Sequence, residues 1–167
     1  MQSMQITIYC DGGARGNPGP AGIGVIIKTL PVTSNQLPVT ISKYIGTATN
    51  NQAEYRAVIE ALKWIKNHQP NQPETTYAVG SNRLEDLEIE CFLDSQLIVE
   101  QLNQRYKLKN EGLKPLFWEI RDLVMALGGK VTFKYIPREQ NQEADRLVNE
   151  IIDRHQSKAN KNASTAK

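Results

Sequence analysis

Three runs of apolar and β-branched residues occupy the first part of the chain. Residues 4–10 and 21–29 are almost continuously apolar, and residues 39–46 alternate apolar and polar positions with a period of two. Runs of this length and composition are typical of strands. We therefore predict three strands that form an antiparallel meander.

A helical period follows the meander. From Asn50 to His68 the apolar residues recur at the spacing of one helical face, and Asn50 or Asn51 suits the N-cap of this helix. Beyond it, apolar runs and helical periods alternate along the chain. They predict strands over 89–94 and 130–136, and helices from Ser95 to about Leu102, over 116–127 and over 141–155.

Two segments carry no sustained period. Residues 69–88 contain Pro, Asn and Gly and predict an unusually long surface connection. Residues 156–167 have no apolar side chain larger than alanine, which predicts a disordered polar tail. Residues 1–155 then form a single domain, in agreement with a length of 167 residues.

The order of these elements indicates the fold class. A meander followed by alternating strands and helices predicts an α/β fold with a five-stranded mixed sheet and helices on both faces. In such sheets, sites form at the carboxyl ends of parallel strands.

Composition narrows the function classes only a little. A formal charge of +2 gives weak attraction to polyanions and does not by itself indicate nucleic acid. Cys10 and Cys91 lie in apolar runs and predict buried free thiols in a reducing compartment. The sequence has no stretch of about 18 apolar residues and no signal-peptide pattern at its start. We therefore expect a cytoplasmic protein without membrane contact.

Acidic residues stand at the positions where a site would form. Asp11 and Asp94 each follow an apolar run, Glu54 lies in the first turn of the long helix, and Asp145 lies near the start of the last helix. These side chains would converge if the first and fourth strands were parallel neighbours. Taken singly, however, each acid is also typical of a turn or of a helix N-terminus.

Converging carboxylates favour a particular chemistry. They repel one another unless a cation joins them, and a ligand set of oxygen atoms alone selects a hard ion such as Mg²⁺ or Mn²⁺. Two such ions are a device for hydrolysing phosphodiesters.

Five ordered segments carry a family resemblance. They are DGGARGNPGPAGIG (11–24), TNNQAEYRAVIEAL (49–62), FLDSQLIVEQL (92–102), KLKNEGLKPL (107–116) and IPREQNQEADRLVNE (136–150). In order and spacing these segments resemble ribonuclease H of type 1. The resemblance implies a ribonuclease H-like fold and an endonuclease that cleaves the RNA strand of RNA/DNA hybrids to 5′-phosphate and 3′-hydroxyl ends. It also implies two Mg²⁺ or Mn²⁺ ions held by Asp11, Glu54, Asp94 and Asp145.

The resemblance also implies substrate-binding positions. Minor-groove contacts fall on Asn17, Asn50, Asn51 and Gln96, and contacts with a DNA-strand phosphate fall on Thr49 and Asn110. Gly12 and Gly13 would leave room for the RNA backbone. The structural alternatives are that Asn50 or Asn51 caps the helix and that Asn110 forms a turn.

One departure from the family concerns the loop before the last acid. Many relatives carry a histidine there, whereas residues 137–142 (PREQNQ) contain none. Arg138 or Glu139 takes its place in this prediction. Arginine does not act as a base, but it binds phosphate.

Two other functions remain open at this stage. One is a non-catalytic nucleic-acid-binding module of the same fold, and the other is an enzyme that also cleaves double-stranded RNA. In each case the partner is a nucleic acid, and the sequence predicts a monomer with no protein partner.

Overall fold

The strands and helices follow the predicted alternation. The structure, a computed structural model, describes residues 4–30, 37–68 and 87–165. The elements are β1 (Met4–Ala14), β2 (Gly19–Leu30), β3 (Val39–Ala48), α1 (Asn50–Asn67), β4 (Leu87–Leu93), α2 (Gln96–Leu102), α3 (Lys114–Ala126), β5 (Val131–Tyr135) and α4 (Gln142–Thr165), with a 3-10 turn over Arg138–Gln140 before α4.

The five strands form one mixed sheet in the order β3-β2-β1-β4-β5. β1 pairs antiparallel with β2, and β2 pairs antiparallel with β3. β4 pairs parallel with both β1 and β5. The α/β fold and the antiparallel meander are therefore confirmed. The first and fourth strands are parallel neighbours, which is the condition on which convergence of the acids depended.

Two consecutive glycines of β1 show that helices cover both faces of the sheet. A Cβ on Gly12 would lie 2.2 Å from the carbonyl carbon of Ala53 in α1, and a Cβ on Gly13 would lie 3.3 Å from Cγ1 of Val148 in α4. Successive strand residues point to opposite faces, so α1 and α4 lie on opposite sides. The main hydrophobic core lies on the α1 side, where Ile8 and Cys10 are fully buried.

Glycines in β2 let α4 pack directly on the strand backbone. A Cβ on Gly24 would lie 2.3 Å from the carbonyl oxygen of Ala144, and one on Gly22 would lie 2.7 Å from Cγ2 of Ile151. Gly24 is also the residue of β2 that pairs with Asp11. This close packing brings the start of α4, and with it Asp145, next to Asp11.

The ends of several elements differ from the prediction. β1 does not stop at Asp11 but continues to Ala14, because residues 11–14 keep their pairing with β2 after the pairing with β4 has ended at Cys10. Of the predicted connection 69–88, Leu87 and Glu88 belong to β4, and residues 69–86 lie outside the described residues.

The prediction of a disordered tail is corrected by α4, which continues to Thr165. Residues 156–165 contain neither Pro nor Gly, so nothing in this segment stops a helix that is already formed. The ring of His155 stacks on Tyr44 of β3 with centroids 3.6 Å apart, which holds the helix against the sheet where the predicted tail begins. Residues 166–167 lie outside the described residues.

Both predicted buried thiols are confirmed. Cys10 and Cys91 are free and fully buried, with their sulfur atoms 3.8 Å apart. In the described part of the chain, no helix combines the length and the apolar character that a membrane span requires.

Candidate active site

Three acids meet at the end of the parallel pairing. The pairing of β1 with β4 ends at Cys10 and Leu93, so Asp11 and Asp94 are the next residues on two neighbouring strands. Glu54 reaches them from α1, because Gly12 lets the backbone of α1 lie directly against β1. One carboxylate oxygen each from Asp11, Glu54 and Asp94 lie within 4.8 Å of one another.

The pKa values of these acids show how much negative charge the site gathers. Burial, with the charges of Asp11 and Asp94 added, raises the pKa of Glu54 to about 9. Burial also raises the pKa of Asp11 to about 7, and Asp94 and Asp145 contribute to this shift. The pKa of Asp94 is raised by burial, although Arg138 and a hydrogen bond with Asn141 oppose the shift. The site therefore holds protons in the absence of a cation.

The donor set matches a hard divalent cation. All the converging atoms are carboxylate oxygens, which Mg²⁺ and Mn²⁺ prefer over nitrogen or sulfur ligands. Moreover, Oε2 of Glu54 is buried and has no hydrogen-bond partner among the described residues. A buried carboxylate oxygen without a partner is costly unless a cation or a donor reaches it. The acids present thus fit a divalent metal ion.

The fourth predicted acid, Asp145, lies beside this cluster rather than in it. Arg138 donates from Nη2 to its Oδ1 at 2.6 Å, and Asn149 donates from Nδ2 to its Oδ2 at 3.1 Å. The negative charge of Asp145 still raises the pKa of Asp11. All four predicted acids line one cavity of about 430 Å³, together with Arg15, Asn50, Arg138 and Asn149.

Comparison with known proteins places this arrangement in a family. The family model described as RNase H matches residues 3–153. The chain belongs to the RNase H family. LC11-RNase H1, isolated from compost, is 42% identical, with a TM-score of 0.74 over 93% of this chain and 99% of that one. RNase H1 of Halobacterium salinarum is 31% identical, with a TM-score of 0.71 over 89% of this chain and 98% of that one.

Some relatives are much longer than this chain. The bifunctional protein Rv2228c of Mycobacterium tuberculosis is 33% identical over 164 residues, which are 98% of this chain but 40% of that protein. A solved N-terminal RNase H domain of Rv2228c is 32% identical, with a TM-score of 0.74 over 94% of this chain and 99% of that one. The shared part is therefore the RNase H domain.

In this RNase H family member, the first predicted substrate-binding group joins the β1–β2 turn to α1. The backbone N–H of Asn50 donates to Oδ1 of Asn17 at 3.0 Å, and Oδ1 of Asn50 accepts from the N–H of Ala14 at 2.9 Å. Asn50 lines the cavity, whereas Asn17 is exposed in the turn. Both side chains thus position backbone at the rim of the site.

The predicted cap of α1 is corrected. Thr49, rather than Asn50 or Asn51, is the N-cap, because its hydroxyl accepts from the N–H of Gln52 at 3.2 Å and the Gln52 side chain accepts from the N–H of Thr49 at 3.0 Å. This reciprocal pair is a capping box. Asn51 is partly exposed in the first turn of α1, so it stays available for contacts with a ligand.

Of the remaining predicted positions, the two glycines line the cavity, whereas Gln96, Asn110 and Glu139 are exposed and are not among its lining residues. Gln96 is exposed at the start of α2, and Glu139 is exposed in the 3-10 turn. Asn110 forms a local turn in which its Oδ1 accepts from the N–H of Gly112 at 2.8 Å. Gly12 and Gly13 line the cavity, but the space that Gly12 leaves is filled by the backbone of α1 and not by a ligand.

Three polar residues at the site were missed by the sequence reasoning. Asn141 is buried and donates from Nδ2 to the carbonyl oxygen of Cys10 at 2.9 Å, which ties the start of α4 to β1. Arg15 donates from Nη2 to Oδ1 of Asn149 at 3.2 Å. An asparagine before a helix is a recognisable N-cap signal, whereas no local signal connects Arg15 with a residue 134 positions away.

Proposed function

We propose that this chain hydrolyses the RNA strand of RNA/DNA hybrids and leaves 5′-phosphate and 3′-hydroxyl ends. The observation that carries the proposal is the convergence of Asp11, Glu54 and Asp94 within 4.8 Å in an open cavity. The substrate class is supported by a structure of LC11-RNase H1 in complex with an RNA/DNA hybrid, a protein 41% identical over 90% of this chain.

The four acids would hold two divalent ions, either Mg²⁺ or Mn²⁺. When bound, such ions supply an activated water and stabilise the charge that develops on the leaving 3′-oxygen. The chain itself contributes the carboxylates, held in place before any ion arrives. Their raised pKa values mean that Glu54 and Asp11 must give up protons when they bind a cation.

Arg138 replaces the missing loop histidine in this proposal, though not as a base. Both histidines are engaged elsewhere, since His68 stacks on Trp64 and His155 stacks on Tyr44. A guanidinium does not release its proton near neutral pH, and Asp145 raises the pKa of Arg138 further. We assign Arg138 to holding Asp145 and a substrate phosphate. Glu139 lines a second cavity, which shares Arg138 and Asp145 with the first.

Amide side chains at the rim would select RNA. Asn17 and Asn50 use their Oδ1 atoms to position backbone, and among the described residues no partner is found for the Nδ2 of either side chain. Both residues are exposed, and an amide N–H without a protein partner is suited to a ribose 2′-hydroxyl. Asn51 and Gln96 extend this minor-groove surface, and Thr49 and Asn110 would contact a DNA-strand phosphate.

One cleavage experiment tests the proposal and its alternatives. The protein is incubated with end-labelled RNA/DNA hybrid, RNA duplex, DNA duplex and single-stranded RNA, each with Mg²⁺, with Mn²⁺ and with EDTA. We expect metal-dependent cutting that is confined to the RNA strand of the hybrid. Binding without cutting under either metal would instead indicate a non-catalytic module, and cutting of the RNA duplex would widen the substrate class.

The oligomeric state and the location of the protein in the cell also belong to this proposal. We propose a monomer in the cytoplasm, which light scattering and localisation of a tagged chain would test. The four acids that the proposal needs all come from one chain, which supports a site that is complete without a second subunit.

A further inference from the structure

Asn149 directs the N–H groups of its amide toward one residue of the site. Its Nδ2 donates to the backbone carbonyl oxygen of Asp145 at 3.0 Å and to Oδ2 of the same residue at 3.1 Å. A bond from a side chain to a carbonyl four residues earlier is common within helices and needs no function. The bond to the Asp145 carboxylate is different, because it fixes the orientation of a group that lines the cavity.

The orientation of this amide is itself fixed from another part of the chain. Arg15, in the turn between β1 and β2, donates from Nη2 to Oδ1 of Asn149 at 3.2 Å. The same nitrogen lies 2.9 Å from Oδ1 of Asp153. A reversed amide would place its oxygen against a carboxylate and its N–H groups against a guanidinium. The charges on either side of Asn149 therefore favour the observed orientation.

We propose that Asn149 is a positioning residue for Asp145 and that Arg15 holds the Asn149 amide in the orientation this requires. Arg138 and Asn149 divide the Asp145 carboxylate between them, one on each oxygen. Arg138 is exposed, so its contact with Oδ1 can open toward solvent. Asn149 then keeps Oδ2, and the carboxylate presents Oδ1 to an incoming cation.

This assignment deepens the proposed function, because it rests on Asp145 being a ligand of a divalent ion. Partners that orient a metal ligand typically change metal affinity by about 10-fold to 100-fold when they are removed. We therefore expect Asn149→Ala to weaken binding of Mn²⁺ by roughly 10-fold, without an equal loss of affinity for the hybrid.

Calorimetric titration with Mn²⁺ alone, without nucleic acid, tests the assignment. It compares the wild-type protein, Asn149→Ala, Asp145→Asn and the double variant, with Glu150→Ala as the matched control. Glu150 is the next residue of α4, is exposed and pairs with Arg146. We expect a weaker Mn²⁺ affinity for Asn149→Ala, less than a twofold further effect in the Asp145→Asn background, and no effect for the control.

Three results would overturn the assignment of Asn149. They are an unchanged Mn²⁺ affinity, a loss of equal size in both backgrounds, or an equal loss in the Glu150→Ala control. Because no nucleic acid is present, this readout is separate from hybrid cleavage. A protein that shows the expected Mn²⁺ pattern but cuts no hybrid would contradict the proposed function and leave the positioning role intact.

The role of Arg15 is tested by whether Mn²⁺ affinity falls or rises when Arg15 is replaced by alanine. Removing a positive charge beside acids raises cation affinity by electrostatics alone. If Arg15 orients Asn149, however, Arg15→Ala should weaken Mn²⁺ binding, by about threefold to tenfold. An affinity that rises or stays the same would overturn this half of the proposal.

Discussion

Arg138 donates a hydrogen bond of 2.6 Å from Nη2 to Oδ1 of Asp145, so the fourth acid of the site is paired with a cation of the chain itself. The guanidinium also lowers the pKa values of Asp11, Glu54 and Asp94, which places it within electrostatic reach of the whole cluster. Arg138 thus competes with any second cation that binds at Asp145.

This competition predicts a change in the metal requirement of Arg138→Ala. Loss of a repulsion of about 1 kcal/mol corresponds to a roughly fivefold lower Mg²⁺ concentration at half-maximal activity. Maximal turnover should fall modestly, because a phosphate contact is lost as well. Mg²⁺ titration of the cleavage rate measures both. Arg146→Ala serves as the control, since Arg146 is an exposed arginine of α4 that pairs with Glu150 at 2.8 Å. An unchanged or higher Mg²⁺ requirement in Arg138→Ala would contradict the competition.

Neutralising a metal ligand should separate cleavage from binding. Asp11→Asn and Asp94→Asn keep the size of the side chain but remove charge from the cluster of three acids. We expect the cleavage rate to fall by more than about 100-fold. Removing a residue that only orients a metal ligand already lowers activity by up to about 100-fold. Hybrid affinity, measured by fluorescence anisotropy in EDTA, should change little because the rim amides remain. Asp122→Asn, at an exposed position of α3, is the control. Near wild-type cleavage by either site variant would refute the metal assignment.

The main outline of this site could be predicted because it depends on local patterns. Alternation of strands and helices predicted a mixed sheet, but the sequence left open whether the first and fourth strands are neighbours. The structure pairs them in parallel, and their register places Asp11 beside Asp94. Glu54 could be placed near the start of α1 because helical periodicity predicted this helix, although the structure puts Glu54 just after the first turn. The family resemblance supplied the role of these acids.

The finer contacts could not be predicted, because they depend on competition and on distant pairing. Thr49, Asn50 and Asn51 are all able to cap a helix, and only the packed structure shows that Thr49 caps while Asn50 binds Ala14. The contact between Arg15 and Asn149 joins residues 134 positions apart and has no sequence pattern. The extent of α4 was missed for a similar reason. The polar composition of residues 156–167 suggested a disordered tail, whereas α4 continues to Thr165 because no residue there stops the helix.

Substitution of Gly12 tests whether this glycine is needed for the packing of α1 on β1. A Cβ on Gly12 would meet backbone atoms of α1 at 2.2 Å, whereas one on Gly13 would meet only a side-chain methyl group of Val148 at 3.3 Å. Backbone cannot yield without moving the helix that carries Glu54. We therefore expect Gly12→Ala to lower the free energy of unfolding by roughly 3 kcal/mol or more, and Gly13→Ala by about 1 kcal/mol. Urea denaturation in EDTA measures both, and equal losses would show that the contact with α1 does not distinguish the two glycines.

The raised pKa values predict how stability depends on pH without metal. Asp11 and Glu54 have ordinary values of 3.8 and 4.5, but the folded protein raises them to about 7 and about 9. Between about pH 4 and pH 9 the folded state therefore binds more protons than the unfolded state, so the free energy of unfolding falls as pH rises. The fall should be on the order of a few kcal/mol.

Glu54→Gln isolates the upper part of this window, because Asp11, with a pKa of about 7 in the folded state, is more than half ionised above pH 7. In EDTA, we expect the variant to lose less stability than the wild-type protein between pH 7 and pH 9, as measured by urea denaturation at each pH. Glu60→Gln, on the same helix and paired with Lys43 at 3.1 Å, is the matched control and should follow the wild-type curve. Saturating Mn²⁺ should oppose the fall, since the cation binds the ionised carboxylates that become available as pH rises. Stability that rises from pH 5 to pH 9 in EDTA would contradict the prediction, because the site would then hold its acids ionised without a cation.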